Sequence, residues 1–365
     1  MSLTAFFNAP AQGREKESLP LLRALIERYV EEQPFRNCRV AFGHILVRNS
    51  MAVAEALVAG GAELVLSDAH HSPAADAVMG ELAGLGVPVL SVAEAAQAAD
   101  LFLDVNAVLG RVRTPQAAAE VTRTGIFHYQ TIDCPVISAD DCRAKRIEGF
   151  FGTGDGFLRA WRQLLPDDPP EGKRVVQFGY GKIGRGVAYR CRAAGLEVTV
   201  ADINEVGRQR AAAEGFPVLD AASNAELQSM LKAADIIISV TGIPGVIGQT
   251  LSPEWLRAGS AVLVNLGAED EYGPEFDEGE ILGGKQVPLN FHLAQPTLNR
   301  YVDAPLAAHV LALEAWVQQS EAYPPGIHPL PEAMDRWLVT EWRKAWPEED
   351  LTGIGEELEL EKDEG

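Results

Sequence analysis

One stretch constrains this chain more than any other. Residues 174–202 read "RVVQFGYGKIGRGVAYRCRAAGLEVTVAD". An apolar run ends in glycines, a helical pattern follows, and a second apolar run ends in an acid. Gly179, Gly181 and Gly184 stand in GxGxxG spacing. In such a turn the first glycine permits the tight bend. The second lets a pyrophosphate approach the backbone, and the third lets helix pack on strand. The helix N-terminus then offers free N–H groups to phosphate. The spacing alone is a weak signal, but here strand, helix and terminal acid are all in place. The stretch therefore predicts a dinucleotide site formed by Gly179, Tyr180, Gly181, Lys182, Ile183, Gly184 and Asp202. A carboxylate at Asp202 suits the ribose hydroxyls of NAD and repels the extra phosphate of NADP. Arg208 and Arg210 follow closely and pull slightly against that preference; NAD is the expected cofactor.

The rest of the chain extends the same architecture. "CRVAFGHIL" (Cys38 to Leu46), "AELVLSD" (Ala62 to Asp68) and "AADLFLDV" (Ala98 to Val105) read as buried strands alternating with helical patterns. That alternation argues for parallel α/β sheets. "ADIIISVTG" (Ala234 to Gly242) and "SAVLVNLG" (Ser260 to Gly267) are apolar strands that stop at glycine. Ligand contacts are expected at such strand ends, here Thr241, Gly242, Asn265 and Gly267, with Asn290 in the following loop. The fold class expected is α/β with two domains: a doubly wound Rossmann domain and a discontinuous substrate domain. Residues 1–150 form the first segment of the substrate domain and 151–294 the dinucleotide domain. Residues 295–347 return as helices to the first domain, and 348–365 form a flexible acidic tail. "RQLLPDDPPEGKR" (Arg162 to Arg174) is the clearest boundary candidate by composition.

Composition excludes some partners. The formal net charge of −21 argues against non-specific binding to nucleic acid or anionic membrane. No apolar run is long enough to span a bilayer. Cys38, Cys134, Cys142 and Cys191 include no CxxC pair, which suits reduced thiols in a cytoplasmic protein. His70-His71 has no neighbour at metal-ligand spacing, so no metal is expected.

Beyond the glycine turn the chain resembles S-adenosylhomocysteine hydrolase. "GYGKIGRGVA" is similar to that family's GYGxVGKGxA, and "ADIIISVTGIPGVI" to its A-D-x-x-x-T-x-T-G-N-x-x-x-I. "SAVLVNLGAED" resembles A-I-V-x-N-x-G-H, and "SMAVAEALVAGGAEL" resembles T-A-V-L-I-E-T-L-x-x-L-G-A-E-V. "CPVISADDCRAKRIEGFFG" resembles the V-N-D-S-x-T-K-x-K-F-D-N-x-Y-G segment, and "QPTLNRYVDAPLAAHVLALEAW" the H-P-S-F segment. The resemblance runs in order over most of residues 40–316. It implies an NAD-dependent cycle in which a sugar hydroxyl is oxidised, homocysteine eliminated, water added and the ketone reduced. It also favours a homodimer or homotetramer.

The family's catalytic set carries over poorly. Its T-K-x-K lysine falls on Ala144, with Lys145 one step away. The F-D-N pair falls on Glu148 and Gly149, and two histidines fall on Ala268 and Gln295. No E-E-T-T-T stretch is found in "GIFHYQTIDCP". His44 and Asp104 do match in the first domain. A missing acid/base group forfeits roughly 10²–10⁴-fold in rate. The expectation is therefore an NAD-dependent enzyme with a rewritten pocket and oxidoreductase-type chemistry on another small polar substrate. A genuine hydrolase using Lys145 and a non-catalytic NAD-binding regulator are the alternatives.

Candidate catalytic residues are His44, Asp104, Lys145, Glu148 and Asp303. His44 and Asp104 end strands, where parallel sheets place ligand contacts. Lys145 and Glu148 are three apart and share a helical face, reading equally as cleft residues or a surface ion pair. Asp303, with Arg300, reads either as a substrate carboxylate clamp or as a staple for a hinge helix. His128 and Tyr129 read as loop packing.

Overall fold

The computed structural model describes residues 3–70, 72–222 and 224–358; His71, the second of the histidine pair, lies outside them. The strands in chain order are β1 (Arg39–His44), β2 (Glu63–Asp68), β3 (Val89–Leu90), β4 (Leu101–Asp104), β5 (Ala117–Glu120) and β6 (Pro135–Ser138). They continue with β7 (Arg174–Phe178), β8 (Glu197–Asp202), β9 (Val218–Asp220), β10 (Ile236–Ser239), β11 (Val262–Asn265) and β12 (Gly326–Pro329). The chain divides into two compact units. One holds Met1–Ile147, Asn299–Asp350 and Glu357–Gly365; the other holds Glu148–Leu298 and Leu351–Glu356.

Among the described residues, the first unit contains a parallel seven-stranded sheet of order β12-β6-β5-β4-β1-β2-β3. Its central strands are buried along almost their whole length and mainly apolar, with His44, Asp104 and Glu120 at their ends, because both faces are covered by helices. The chain winds outward from β1 through β2 to β3, then returns to β1's other side with β4. The register sets Gly43 beside Asp104. The crevice between β1 and β4 is thus the topological switch point, where open α/β sheets bind ligands. A buried 20-residue helix, Asn299–Gln318, packs on β4, β5 and β6. Its alanines, Ala304, Ala307, Ala308 and Ala312, allow that close approach.

The second unit repeats the plan with order β11-β10-β7-β8-β9, all parallel, and its switch point lies between β7 and β10. The two α/β sheets are those the strand–helix alternation predicts. The Pro-rich stretch lies inside this unit, linking the helix Thr153–Leu164 to β7. The chain instead enters the unit within a helical run, Arg143–Ile147 followed by a π-turn at Glu148–Gly152. Composition misses this crossing because the helical run continues across it without a proline-rich break.

The acidic tail is partly docked. Tyr301 Oη donates to Glu349 at 3.1 Å, and Arg300 pairs with the same carboxylate at 3.0 Å. Arg185 donates to the Gly353 carbonyl, Gly353 lies against the Tyr189 ring, and Ile354 and Leu358 are buried. Two apolar side chains anchor a segment whose charges suggest solvation. Residues 359–365 lie outside the described part. No described helix is long and apolar enough to cross a membrane.

Candidate functional site

The cradle of the second unit is shaped by missing side chains. Gly179 has φ +98°, and a Cβ there would stand 2.5 Å from the Val240 carbonyl oxygen. A Cβ on Gly184 would stand 2.3 Å from the Gly179 carbonyl oxygen. Both contacts are backbone, so neither can yield to a side chain. Gly181, in contrast, meets nothing within 4 Å, which leaves the turn's mouth open. Lys182 and Ile183 border that mouth at the start of the helix Lys182–Ala193, which no side chain caps. The buried Gln177 braces the turn from beneath, donating to the Gly179 and Gly184 carbonyls at 2.9 and 2.7 Å. Sequence reasoning misses it; a lone glutamine in an apolar strand is the available signal.

Asp202 ends β8 and accepts from the Tyr180 and Asn204 N–H groups, each at 2.7 Å. Tyr180 offers the site its backbone alone. Its ring is buried against Phe216 and its hydroxyl donates to Glu214 at 2.6 Å. Arg208 donates to the Asp202 and Ile203 carbonyls and pairs with Asp220, while Arg210 pairs with Glu214. These engagements leave Asp202 as the carboxylate at the ribose position. Open glycine turn, uncapped helix and fixed acid together fit a dinucleotide.

The far wall follows β10 and β11. Gly242 has φ +73° and open space at its Cβ position. The N–H groups of Thr241 and Gly242 both donate to Glu271, at 2.8 and 2.6 Å. Asn265 is consumed within its own loop: its amide donates to the Glu269 and Lys285 carbonyls and its oxygen accepts from Gly267 N–H. Asn290 is buried beside Gly156, its amide 3.4 Å from the Pro296 carbonyl. Glu148 belongs to this unit, whereas Lys145 belongs to the other.

In the first unit, the switch-point strand ends carry His44, Asp104 and Glu120. The His44 ring stacks on Phe42 and lies 5.8 Å from His309, with Nδ1 3.3 Å from the Ile45 carbonyl. His309 Nε2 is 3.0 Å from the Ala119 carbonyl, a contact only a protonated Nε2 can make a hydrogen bond. Burial, then the His44 and Lys145 charges, pull the His309 imidazole down to about 3. This histidine therefore stays neutral. His44, Lys145 and His309 share one neighbourhood. In the sequence His309 stands out only as six residues beyond Asp303; the helix brings it to the strand ends.

Asp104 is fully buried and heavily bonded. It accepts from the N–H groups of Val105, Leu109 and Gly110 and from Tyr129 Oη at 2.7 Å. Desolvation raises it to about 6 against those bonds. Tyr129, which reads from sequence as packing, is thus Asp104's partner. Glu120 accepts from Ala107, Val121 and Thr122 N–H and from Thr122 Oγ1. Burial, reinforced by the Asp104 charge, raises Glu120. The run Glu120-Val121-Thr122-Arg123-Thr124 has the form E-x-T-x-T, immediately upstream of the segment aligned with E-E-T-T-T. An alignment that starts at Gly125 passes over it.

Asp303 stands apart from this cluster. Its two oxygens accept from the Leu21 and Leu22 N–H groups at 2.8 and 3.1 Å. It therefore caps the helix Pro20–Glu32, whose own N-cap, Leu19, has no side chain to do so. Arg300 is paired with Glu349. Of the two sequence readings, this geometry is the staple. Among the described residues no group of three or more His, Cys, Asp or Glu is arranged to hold a metal.

Comparison with known proteins bears on both units. Residues 155–276 match the family described as S-adenosyl-L-homocysteine hydrolase, NAD binding domain. The chain is 30% identical over 288 residues to an S-inosyl-L-homocysteine hydrolase of Methanocaldococcus jannaschii, covering 70% of this chain and 66% of that protein. It is 27% identical to the protein of that name from Methanopyrus kandleri, covering 94% of this chain and 90% of the other. An adenosylhomocysteinase of Nostoc is 29% identical, over 90% of this chain and 87% of its own length. Among solved structures, a dipicolinate synthase component from Bacillus halodurans shares the fold at TM-score 0.52 and 14% identity, covering 77% of this chain and 99% of that one.

Proposed function

The chain belongs to the S-adenosylhomocysteine hydrolase superfamily and takes NAD as its cofactor, and on that premise we propose that it oxidises a hydroxyl- or amine-bearing carbon in a small polar substrate other than S-adenosylhomocysteine. The supporting observation is the combination of an unobstructed cradle with an altered catalytic set. Gly149, Ala268 and Gln295 stand where the family resemblance places an asparagine and two histidines, while the T-K-x-K lysine, counted from Asp140-Asp141, falls on Lys145 and its threonine on Ala144. Alanine and glycine cannot hold or move a proton.

When bound, NAD would supply the hydride acceptor that turns an alcohol carbon into a carbonyl or an amine carbon into an imine. The Gly179–Gly184 turn and the following helix N-terminus hold its pyrophosphate, and Asp202 accepts from its adenosine ribose. Thr241, Gly242, Gly267 and Asn290 shape the opposite side, with Asn265 and Tyr180 acting through the backbone they hold. In the first unit His44 is the residue assigned to take the substrate's O–H or N–H proton. Lys145 sits near the same imidazoles and fixes the charge around them. Asp104 and Glu120 hold the strand-end loops.

A second reading has its own support. The E-x-T-x-T run at Glu120 retains part of the family's substrate-and-cofactor stretch, and the archaeal relatives are named hydrolases of S-inosyl-L-homocysteine. Under it, Lys145 serves as the family's T-K-x-K lysine and a nucleoside thioether is cleaved. The test incubates purified protein with S-adenosyl-homocysteine, S-inosyl-homocysteine and a panel of nucleosides, polyols and amino alcohols. Reduced-cofactor absorbance and free thiol are followed together. Cofactor reduction without thiol release is expected. Thiol released from either thioether replaces the first reading with the second. Silence across the panel at high protein concentration sinks the oxidoreductase reading and leaves a regulator.

A further inference from the structure

Glu271 is buried in the second unit, and four donors converge on it. Oε2 accepts from Ser239 Oγ, from Thr241 N–H at 2.8 Å and from Thr241 Oγ1 at 2.9 Å. Oε1 accepts from Gly242 N–H at 2.6 Å. The residue's own backbone carbonyl accepts from Ile247 N–H at 2.9 Å, tying the same two loops together. Gly267 makes the room, since a Cβ there would stand 2.1 Å from Oε1. No periodicity or motif in the sequence singles out this glutamate.

Its position relates it to one half of the cofactor. Asp202 ends β8, on one side of the glycine turn, and takes the adenosine ribose. Thr241 lies on the other side, its Cα 3.0 Å from where a Gly179 Cβ would stand. With the pyrophosphate at the turn, the β10 side is left for the nicotinamide ribose and ring. We infer that Glu271 is the positioning residue for the nicotinamide half of NAD, holding the Thr241–Gly242 backbone in its left-handed bend. The inference rests on the NAD reading above.

A carboxylate is required rather than an amide. Each oxygen takes one backbone N–H, Thr241 on Oε2 and Gly242 on Oε1. A glutamine must present its NH₂ to one of those donors whichever way it is flipped. One buried N–H then loses its acceptor, a loss large enough to move an equilibrium by about tenfold.

The test is calorimetric titration of nucleotide-depleted full-length protein with NAD and, separately, ADP, which lacks both the nicotinamide ribose and the ring. For Glu271→Gln the NAD Kd should rise about tenfold, while the ADP Kd changes less than about twofold. Ser239→Ala, which removes one donor and leaves the carboxylate, should show the same selectivity at smaller size. It also serves if Glu271→Gln does not fold. Unchanged NAD affinity overturns the inference. Equal weakening of both ligands also overturns it, because Glu271 would then support the whole cradle. Wild-type protein that binds neither ligand would instead sink the NAD reading itself.

Discussion

The two switch points obey one topological rule and are built in opposite ways. The β7–β10 crevice is made by backbone, and its key residues matter for what they lack. The β1–β4 crevice is made by side chains: His44, Asp104 and Glu120 from three strands, with His309 and Lys145 from two helices. A backbone cradle has little tolerance and little variety, since a glycine turn either admits a pyrophosphate or does not. A side-chain cluster can be rewritten one residue at a time without disturbing the sheet. A cofactor cradle of this kind can therefore be kept across a family while catalytic side chains vary.

The contrast is open to attack, first at its strongest point. Gly184→Val places a branched side chain on the Gly179 carbonyl. NAD binding, measured by titration, should fall more than about 100-fold, since backbone on both sides cannot retreat. Retained affinity would show that the turn does not fix the cofactor.

A smaller but still large effect belongs to the side-chain crevice. His44→Gln should reduce the rate of cofactor reduction by roughly 10²–10⁴-fold, with NAD affinity unchanged. If affinity falls in step with rate, His44 serves the fold or the cofactor and not proton transfer.

Asp303→Asn gives the smallest effect and separates chemistry from structure. The amide satisfies one of the two N–H groups at Leu21 and Leu22, costing about 1–2 kcal/mol of stability in denaturant unfolding. Turnover should stay within a few-fold of wild type. The pH dependence has a definite sign. Burial raises the folded Asp303 carboxyl to about 7, above its unfolded value near 4. Wild-type stability from this group is therefore full below about pH 4 and declines as pH rises toward 7. The variant lacks that decline, so its deficit should narrow between pH 5 and 8. A deficit that grows with pH would mean Asp303 is ionised and ion-paired in the folded protein.

Residues near one another in sequence were readable; residues brought together by the fold were not. Asp202 and the three glycines lie within one βαβ unit, and their roles follow from spacing. His44 and Asp104 were readable as strand ends because ligand contacts collect there. Asp303 was ambiguous, since nothing in "RYVDAPLAAH" says that its carboxylate meets the N–H groups of Leu21 and Leu22. Glu120 escapes through a misplaced alignment, not through absence of signal. Glu271 gives no signal at all: its four bonds come from the neighbouring strand's end.

The chain's own order of residues determined the two parallel sheets, the glycine turn and the preference for NAD. These depend on periodicity and on steric limits that act over a few residues. Tertiary structure decided which acids serve the fold and which imidazoles face one another. It also docked the start of an acidic tail and brought four donors onto the buried Glu271. Those outcomes depend on long-range burial and on which donors lack partners once the sheets have closed, and no local pattern encodes them.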